Sequence, residues 1–154
     1  MLDLDWREDG TDKGLDLHWC GEGYLFKEDE FQDEVIVAYG DILYEDSVLR
    51  AVADSSAPIS VVVDLDWRSY WEMRFSDPLS DAESLRLGDA GQVIELGQKA
   101  AALDGIQGQY IGLMKFQGDG IAAVEDAYQA LATGDIVARS GKAVRSMYMT
   151  DLLQ

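Results

Sequence analysis

The stretch VIVAYGD, residues 35–41, decides the fold prediction, because a short run of apolar, mostly β-branched residues ends there in Gly40-Asp41. A run of this kind, closed by turn residues, is typical of a buried strand. A second apolar run, ISVVV at residues 59–63, follows a segment (46–53) in which apolar residues recur at helical spacing. Strand, helix and strand in this order predict a βαβ unit with a parallel sheet.

Later segments predict further elements of the same domain. Short strands around the turn GDAG (residues 88–91) predict a β-hairpin over residues 84–96. A strand is expected from Tyr110 to Phe116, followed by a helix from about Ile121 to Ala132 that Gly134 terminates. A last helix is expected to begin near Ser146 and to continue to Gln154, as if the chain stopped within it.

These elements together predict an α/β fold with a Rossmann-like mixed, mainly parallel sheet flanked by helices. The predicted domain covers residues 31–154, and residues 1–30 are a polar, acidic, glycine-containing segment of uncertain structure. One domain is what a chain of 154 residues accommodates.

Composition limits the partners of this chain. Thirty acidic residues against 12 basic ones give a formal net charge of -18, which repels nucleic acid and anionic lipid. The charge has two interpretations, a solvated acidic surface or a cation-dependent active site, and these are compatible. No apolar run is long enough to span a bilayer, and the first residues do not form a secretory leader. With a single cysteine, Cys20, these features predict a cytoplasmic protein without an internal disulfide.

Gly40 and Asp41 form the first candidate site. Ligands of open α/β sheets bind outside the carboxyl ends of parallel strands, where this pair is expected to lie. Glycine allows a ligand to approach the backbone, and the Asp41 carboxylate can hold Mg²⁺, which commonly binds one or two carboxylates together with substrate phosphates. The alternative is a Gly-Asp turn whose aspartate caps a helix.

Two tryptophans form the second candidate site. Trp67 and Trp71 are four residues apart, so they share a face if the segment is helical, and they follow Asp64 and Asp66 at the end of the second strand. Aromatic faces beside carboxylates suit an ammonium group, through cation–π attraction and charge. The alternative is that both indoles cover the sheet as part of the core.

The third candidate group joins a lysine to a glycine-flanked strand. Lys99 follows a predicted strand and can pair with a phosphate, while Gly108 and Gly112 on either side of Tyr110 allow close backbone approach. The alternative is a surface lysine and an ordinary turn. Phosphate-binding P-loop and dinucleotide-binding glycine patterns do not occur, so those two functions lose their support.

Four segments, read together, resemble the choline-phosphate and 2-aminoethylphosphonate cytidylyltransferases, which belong to the wider sugar-nucleotide pyrophosphorylase family of nucleotidyltransferases. The resemblance covers residues 31–154. Its blocks, in order, are VIVAYGDILY (35–44), VDLDWR (63–68), DPLSDAE (77–83) and GQYIGL (108–113).

The resemblance implies transfer of a nucleotidyl group from CTP, or another nucleoside triphosphate, to choline phosphate, aminoethylphosphonate or a sugar phosphate. It implies that Asp41 is a catalytic residue that binds Mg²⁺. It also implies that Lys99 lies near the substrate phosphate, where many relatives have a Lys-Pro pair and this chain has Ala100 in place of the proline. Trp67, Trp71, Tyr110 and Gly40 are the expected substrate-binding residues.

The resemblance also implies a domain truncated at both ends. Nothing in residues 1–34 matches the glycine-rich nucleotide-binding loop of the family, and the chain stops before the strand that carries a second metal-binding aspartate. One alternative is therefore a non-catalytic remnant that keeps the acceptor pocket. Another is an assembly module, a homodimer or a complex with a complementing chain, because such a domain exposes apolar sheet edges.

Overall fold

The computed structural model describes residues 34–154, so the predictions for residues 1–33 lie outside the described part of the chain. In that part the helices and strands are β1 (Glu34–Ala38), α1 (Asp46–Ala53), β2 (Ile59–Asp64), α2 (Trp67–Arg74), β3 (Glu83–Leu87), β4 (Val93–Lys99), β5 (Gln109–Gln117), α3 (Asp119–Thr133) and α4 (Met149–Leu152). Short 3₁₀ turns occur at Pro78–Ser80, Leu103–Gly105 and Val144–Ser146.

The main sheet has the strand order β1-β5-β2, and both β1 and β2 pair antiparallel with β5. The predicted parallel pairing of β1 with β2 is therefore wrong: the two strands run in the same direction, but β5 lies between them. All strand pairs among residues 34–154 are antiparallel, so the described part of the chain has the expected α/β content but not a mainly parallel sheet. The βαβ pattern is local and contains no information about a later strand that inserts between its two strands.

Burial explains why β5 takes the central position. Leu113, Met114 and Phe116 are almost fully buried, with exposures of 0%, 0% and 1%. A strand covered on both faces reads as a continuous apolar run, and the centre of a sheet is where both faces are covered. On one face α3 packs through Val124 and Leu131 into the main core.

The predicted hairpin is confirmed as β3 and β4, which pair antiparallel over the turn at residues 88–92. The helix predicted at 121–132 is confirmed as α3, and Gly134 ends it with a φ of 83°.

The last helix differs from its prediction. Its start is delayed to Met149, because the Asp151 carboxylate accepts a hydrogen bond of 2.8 Å from the Tyr148 backbone N–H, and it ends at Leu152.

Two further features complete the fold. A smaller core lies beneath α2 and is formed by Trp67, Ala82 and Ile106, with Trp71 packed at its edge. In residues 34–154, no helix is long and apolar enough to cross a membrane.

Candidate functional site

Gly40 and Asp41 lie in an exposed turn that follows β1 after Tyr39 and precedes α1. The turn is therefore at the carboxyl end of β1, but β5, the strand that pairs with β1, is antiparallel, so the parallel-sheet argument for a ligand site at this point does not apply. Asp41 does not cap α1, because Glu45 occupies the N-cap position of that helix. The carboxylate is thus placed at the sheet edge with no helix-capping role.

The backbone beside this turn is anchored to β5. The Tyr39 N–H donates a hydrogen bond of 2.9 Å to the Gly112 carbonyl oxygen, which extends the β1–β5 pairing past the end of β1. The Tyr39 ring packs edge-on against Tyr110, with ring centroids 5.8 Å apart at an interplanar angle of 84°. Tyr110 is half-buried, and its hydroxyl donates to the Met114 sulfur at 3.3 Å.

The carboxyl end of β2 reaches the same edge of the sheet, since Asp64 pairs with Gln109 at the start of β5. The Asp64 carboxylate accepts a hydrogen bond of 2.8 Å from the Asp66 backbone N–H and so closes the turn into α2. Gly108 is needed here, because a Cβ on it would lie 3.1 Å from the Asp64 carbonyl oxygen and overlap the Val63 side chain.

Gln109 connects the hairpin to this edge, a role that the sequence analysis missed. Its side chain is buried, accepts a 3.1 Å hydrogen bond from the Glu83 N–H and donates a 2.6 Å bond to the Glu83 carbonyl oxygen. Glu83 stands opposite Lys99 in the hairpin. Register therefore places Lys99, an exposed residue at the end of β4, at the same end of the hairpin as Glu83. A polar residue between glycine and apolar neighbours was the available signal for Gln109.

The two tryptophans occupy different environments. Trp67 is 3% exposed and belongs to the smaller core, so a ligand contacts it only after displacement of neighbouring residues. Trp71 is partly exposed, and its indole N–H donates a 2.9 Å hydrogen bond to the Asp81 carboxylate. The rings stand edge to face with centroids 6.0 Å apart.

A cation already lies against the aromatic group of α2. The Arg74 guanidinium carbon is 5.1 Å from the Tyr70 ring centroid, 5.8 Å from Trp71 and 5.1 Å from Phe75. This is the cation–π contact that the sequence pattern assigned to a substrate ammonium. A substrate amine at Trp71 would therefore compete with, or displace, the Arg74 side chain.

Asp41 offers one exposed carboxylate, a donor of the kind that Mg²⁺ binds. Among residues 34–154 no three His, Cys, Asp or Glu side chains converge on one point, so the described part of the chain contains no complete protein cage for a metal. Mg²⁺ does not need one, since it commonly binds one or two carboxylates and completes its octahedron with phosphate oxygens and water. An exposed carboxylate at the sheet edge is a donor of that kind.

A cleft of about 1150 Å³ lies along β2, between α1 and the turn of the β3–β4 hairpin. Its walls contain apolar and small polar side chains, among them Val48, Val61 and Val93, and they include no charged side chain. A triphosphate needs cationic or metal partners, which these walls do not offer. The cleft therefore suits an apolar segment better than the phosphates of a nucleotide.

Glu83 has an altered pKa at the base of the hairpin. Burial, followed by the negative charge of Asp151, raises its pKa above the ordinary value of 4.5, Asp81 adds to this, and Lys142 opposes it. The charged form is thus disfavoured in the folded protein. The charged Glu83 side chain therefore lowers the stability of the folded protein. This cost is fully present at a pH above the pKa of Glu83 in the folded protein, and it disappears as the pH falls to the ordinary value of 4.5.

We therefore expect Glu83→Gln to raise the melting temperature at pH 7–8. This increase should become smaller as the pH approaches about 4.5. Scanning calorimetry of both proteins across this pH range measures the difference. Asp89→Asn in the exposed hairpin turn is the control, because it removes one negative charge from the same acidic chain without altering the buried group. Equal gains from both variants at every pH would show that only net charge is involved.

Comparison with known proteins gives one informative match. No protein-family model matches the sequence, and no solved structure matches it. A curated protein from Campylobacter jejuni subsp. jejuni, named CTP:phosphoglutamine cytidylyltransferase, is 37% identical to this chain over 136 residues. The alignment covers 88% of this chain and 53% of the relative, so the chain spans about half of the relative's length.

This similarity agrees with the resemblance of the four sequence blocks to cytidylyltransferases. It does not distinguish among the acceptors that the resemblance implies. The chain is thus similar over most of its length to a protein named as a cytidylyltransferase.

Proposed function

We propose that this chain acts in the transfer of a cytidylyl group from CTP to a small phosphorylated acceptor. The similarity to a cytidylyltransferase over 136 residues carries the proposal. In this reaction a phosphate or phosphonate oxygen of the acceptor attacks the α-phosphorus of CTP. The bond between that phosphorus and the bridging oxygen to the β-phosphate breaks, and pyrophosphate leaves with the electron pair.

Asp41 is the residue to which we assign binding of Mg²⁺. The ion would neutralise charge on the triphosphate, which the acidic surface of this chain otherwise repels. Gly40 leaves the backbone beside the carboxylate open to the nucleotide, and Lys99 would pair with the acceptor phosphate. Catalysis of this kind rests on positioning and charge neutralisation rather than on a covalent intermediate.

For the acceptor we propose a small phosphorylated amine or amide. Phosphoglutamine is the compound named in the relative, and choline phosphate and 2-aminoethylphosphonate are the acceptors of the family that the sequence blocks resemble. Trp71 and Tyr110 are the proposed contacts for the part of the acceptor away from its phosphate. Trp67 would act from beneath, as the edge-to-face support of Trp71.

Calorimetric titration of Mg·CTP tests the assignment of Asp41. We expect binding to the unmodified chain and an affinity at least about tenfold lower for Asp41→Asn, which removes the metal-binding charge with little change in shape. Asp126→Asn, on the exposed side of α3, is the matched control and should bind as the unmodified chain does. Equal affinity in all three proteins would remove Asp41 from the site.

A second candidate function, a binding or assembly module without catalysis, is favoured by the uncharged cleft beside β2. Exposed apolar side chains such as Leu43 and Leu65, 99% and 66% exposed, add surface of the kind that partners cover. In this case the chain would form a homodimer or bind a complementing chain. Light scattering at high concentration tests the homodimer, and a monomeric mass would contradict it. Titration of each acceptor without CTP tests for the retained pocket.

A further inference from the structure

Gly112 interrupts the regular geometry of β5 at the point where β1 ends. Its φ is +87°, a backbone conformation that side chains other than glycine rarely adopt. A Cβ on Gly112 would lie 2.5 Å from the Tyr39 Cγ atom and 3.0 Å from its Cβ atom. The Tyr39 ring therefore occupies the space that a side chain at position 112 would need.

Three independent contacts hold Tyr39 in this space. Its backbone N–H bonds to the Gly112 carbonyl oxygen at 2.9 Å, its ring fills the space over Gly112, and the ring meets Tyr110 edge-on at 5.8 Å. Tyr110 is itself held by the bond from its hydroxyl to the buried Met114. The ring pair is thus tied to the central strand of the sheet.

Gly40 and Asp41 follow Tyr39 directly, and the residues from Ile42 to Glu45 have no regular secondary structure. The exposed turn therefore has a rigid anchor immediately on its amino side. A fixed anchor limits the positions that the Asp41 carboxylate can take, and a metal–nucleotide site requires its first ligand within a few tenths of an ångström.

We propose that Tyr39 and Gly112, with Tyr110 behind them, are positioning residues that hold the Asp41 carboxylate in place for a metal-bound nucleotide. The proposal rests on the function proposed above. It gives Tyr110 a role in supporting Tyr39, beside its proposed contact with the acceptor. It also predicts that the methyl group of Gly112→Ala displaces the Tyr39 ring and makes the turn at Gly40-Asp41 more mobile.

The test uses Gly112→Ala with Gly134→Ala as its matched control. Gly134 has a φ of +83° and no atom within 4 Å of a Cβ built on it, so its alanine variant carries the backbone strain without the clash. Hydrogen exchange of the Tyr39 amide, which bonds to the Gly112 carbonyl oxygen at 2.9 Å, is measured without any ligand. We expect exchange of this amide to be about tenfold faster or more in Gly112→Ala and unchanged in Gly134→Ala.

The second readout is the affinity for Mg·CTP, measured by titration of each folded variant. We expect Gly112→Ala to bind about tenfold more weakly, Tyr39→Leu to behave similarly, and Tyr39→Phe, which keeps the ring, to retain most of the affinity. Faster exchange with unchanged affinity would overturn the positioning role, as would unchanged exchange in Gly112→Ala. Absence of Mg·CTP binding by the unmodified chain would contradict the proposed function instead, while the exchange data still test the anchor.

Discussion

Replacement of Gly120 by alanine is expected to lower the free energy of unfolding by about 3 kcal/mol, the upper part of the range for overpacking a core. Gly120 is buried in the first turn of α3, and a Cβ on it would lie 2.5 Å from the Pro58 carbonyl carbon and closer still to its oxygen. The carbonyl cannot withdraw easily, because its oxygen accepts a 2.9 Å hydrogen bond from the Gln117 N–H at the end of β5. The helix must therefore move away from the sheet.

Thermal unfolding measures this effect, and a loss of 3 kcal/mol corresponds to a melting temperature lower by roughly 10 °C. Gly105→Ala is the control, since no atom lies within 4 Å of a Cβ at that position. Alanine normally improves a helix relative to glycine by about 1 kcal/mol, so the sign of the result is informative. A Gly120→Ala variant as stable as the unmodified chain would show that α3 does not contact the start of β2 as described.

Replacement of Lys115 by methionine is expected to lower the free energy of unfolding by a similar amount, about 3 kcal/mol. Lys115 lies on β5 with a side chain only 3% exposed, and its ammonium group pairs with Glu34 at 2.9 Å. It also donates to the carbonyl oxygens of Ala53 and Ser55, at 2.6 and 3.1 Å. The lysine thus ties the carboxyl end of α1 to the central strand, and methionine fills its volume without providing a donor.

Glu34→Gln separates the two parts of this interaction. Glu34 is 62% exposed, so the loss of its charge should cost less than about 1 kcal/mol. Denaturant unfolding of both variants at two salt concentrations measures the difference. If the two substitutions cost the same, the ion pair rather than the carbonyl bonds would hold Lys115, and the loss should then shrink at high salt.

The candidate site was predictable in its parts and not in its arrangement. The position of Asp41 follows from a local pattern, because an apolar run ending in glycine marks the end of a strand wherever that strand lies. The roles of Gln109 and Tyr39 could not be predicted in this way. They depend on contacts with Glu83 and Gly112, residues far away in the chain, and a single sequence does not record which distant backbone a side chain will meet.

Trp67 and Trp71 show the same limit within one helix. Their spacing predicts a shared face, and the two rings do meet at 6.0 Å. The sequence could not show that Ala82 and Ile106 would bury Trp67, or that Arg74 would take the place predicted for a ligand cation. Periodicity indicates which residues lie together, whereas burial depends on what the rest of the chain places above them.

Local patterns were enough to predict the strands, the hairpin, helices α1 and α3, and the turn that presents Asp41, because each depends on neighbours within a few residues. The order of the strands depends instead on contacts between residues far apart in the chain. The β1–α1–β2 pattern predicts two neighbouring parallel strands, and β5 instead lies between them and pairs antiparallel with both. The physical reason is burial: β5 has the side chains that are most fully removed from water, and the centre of the sheet is the position that covers both of its faces.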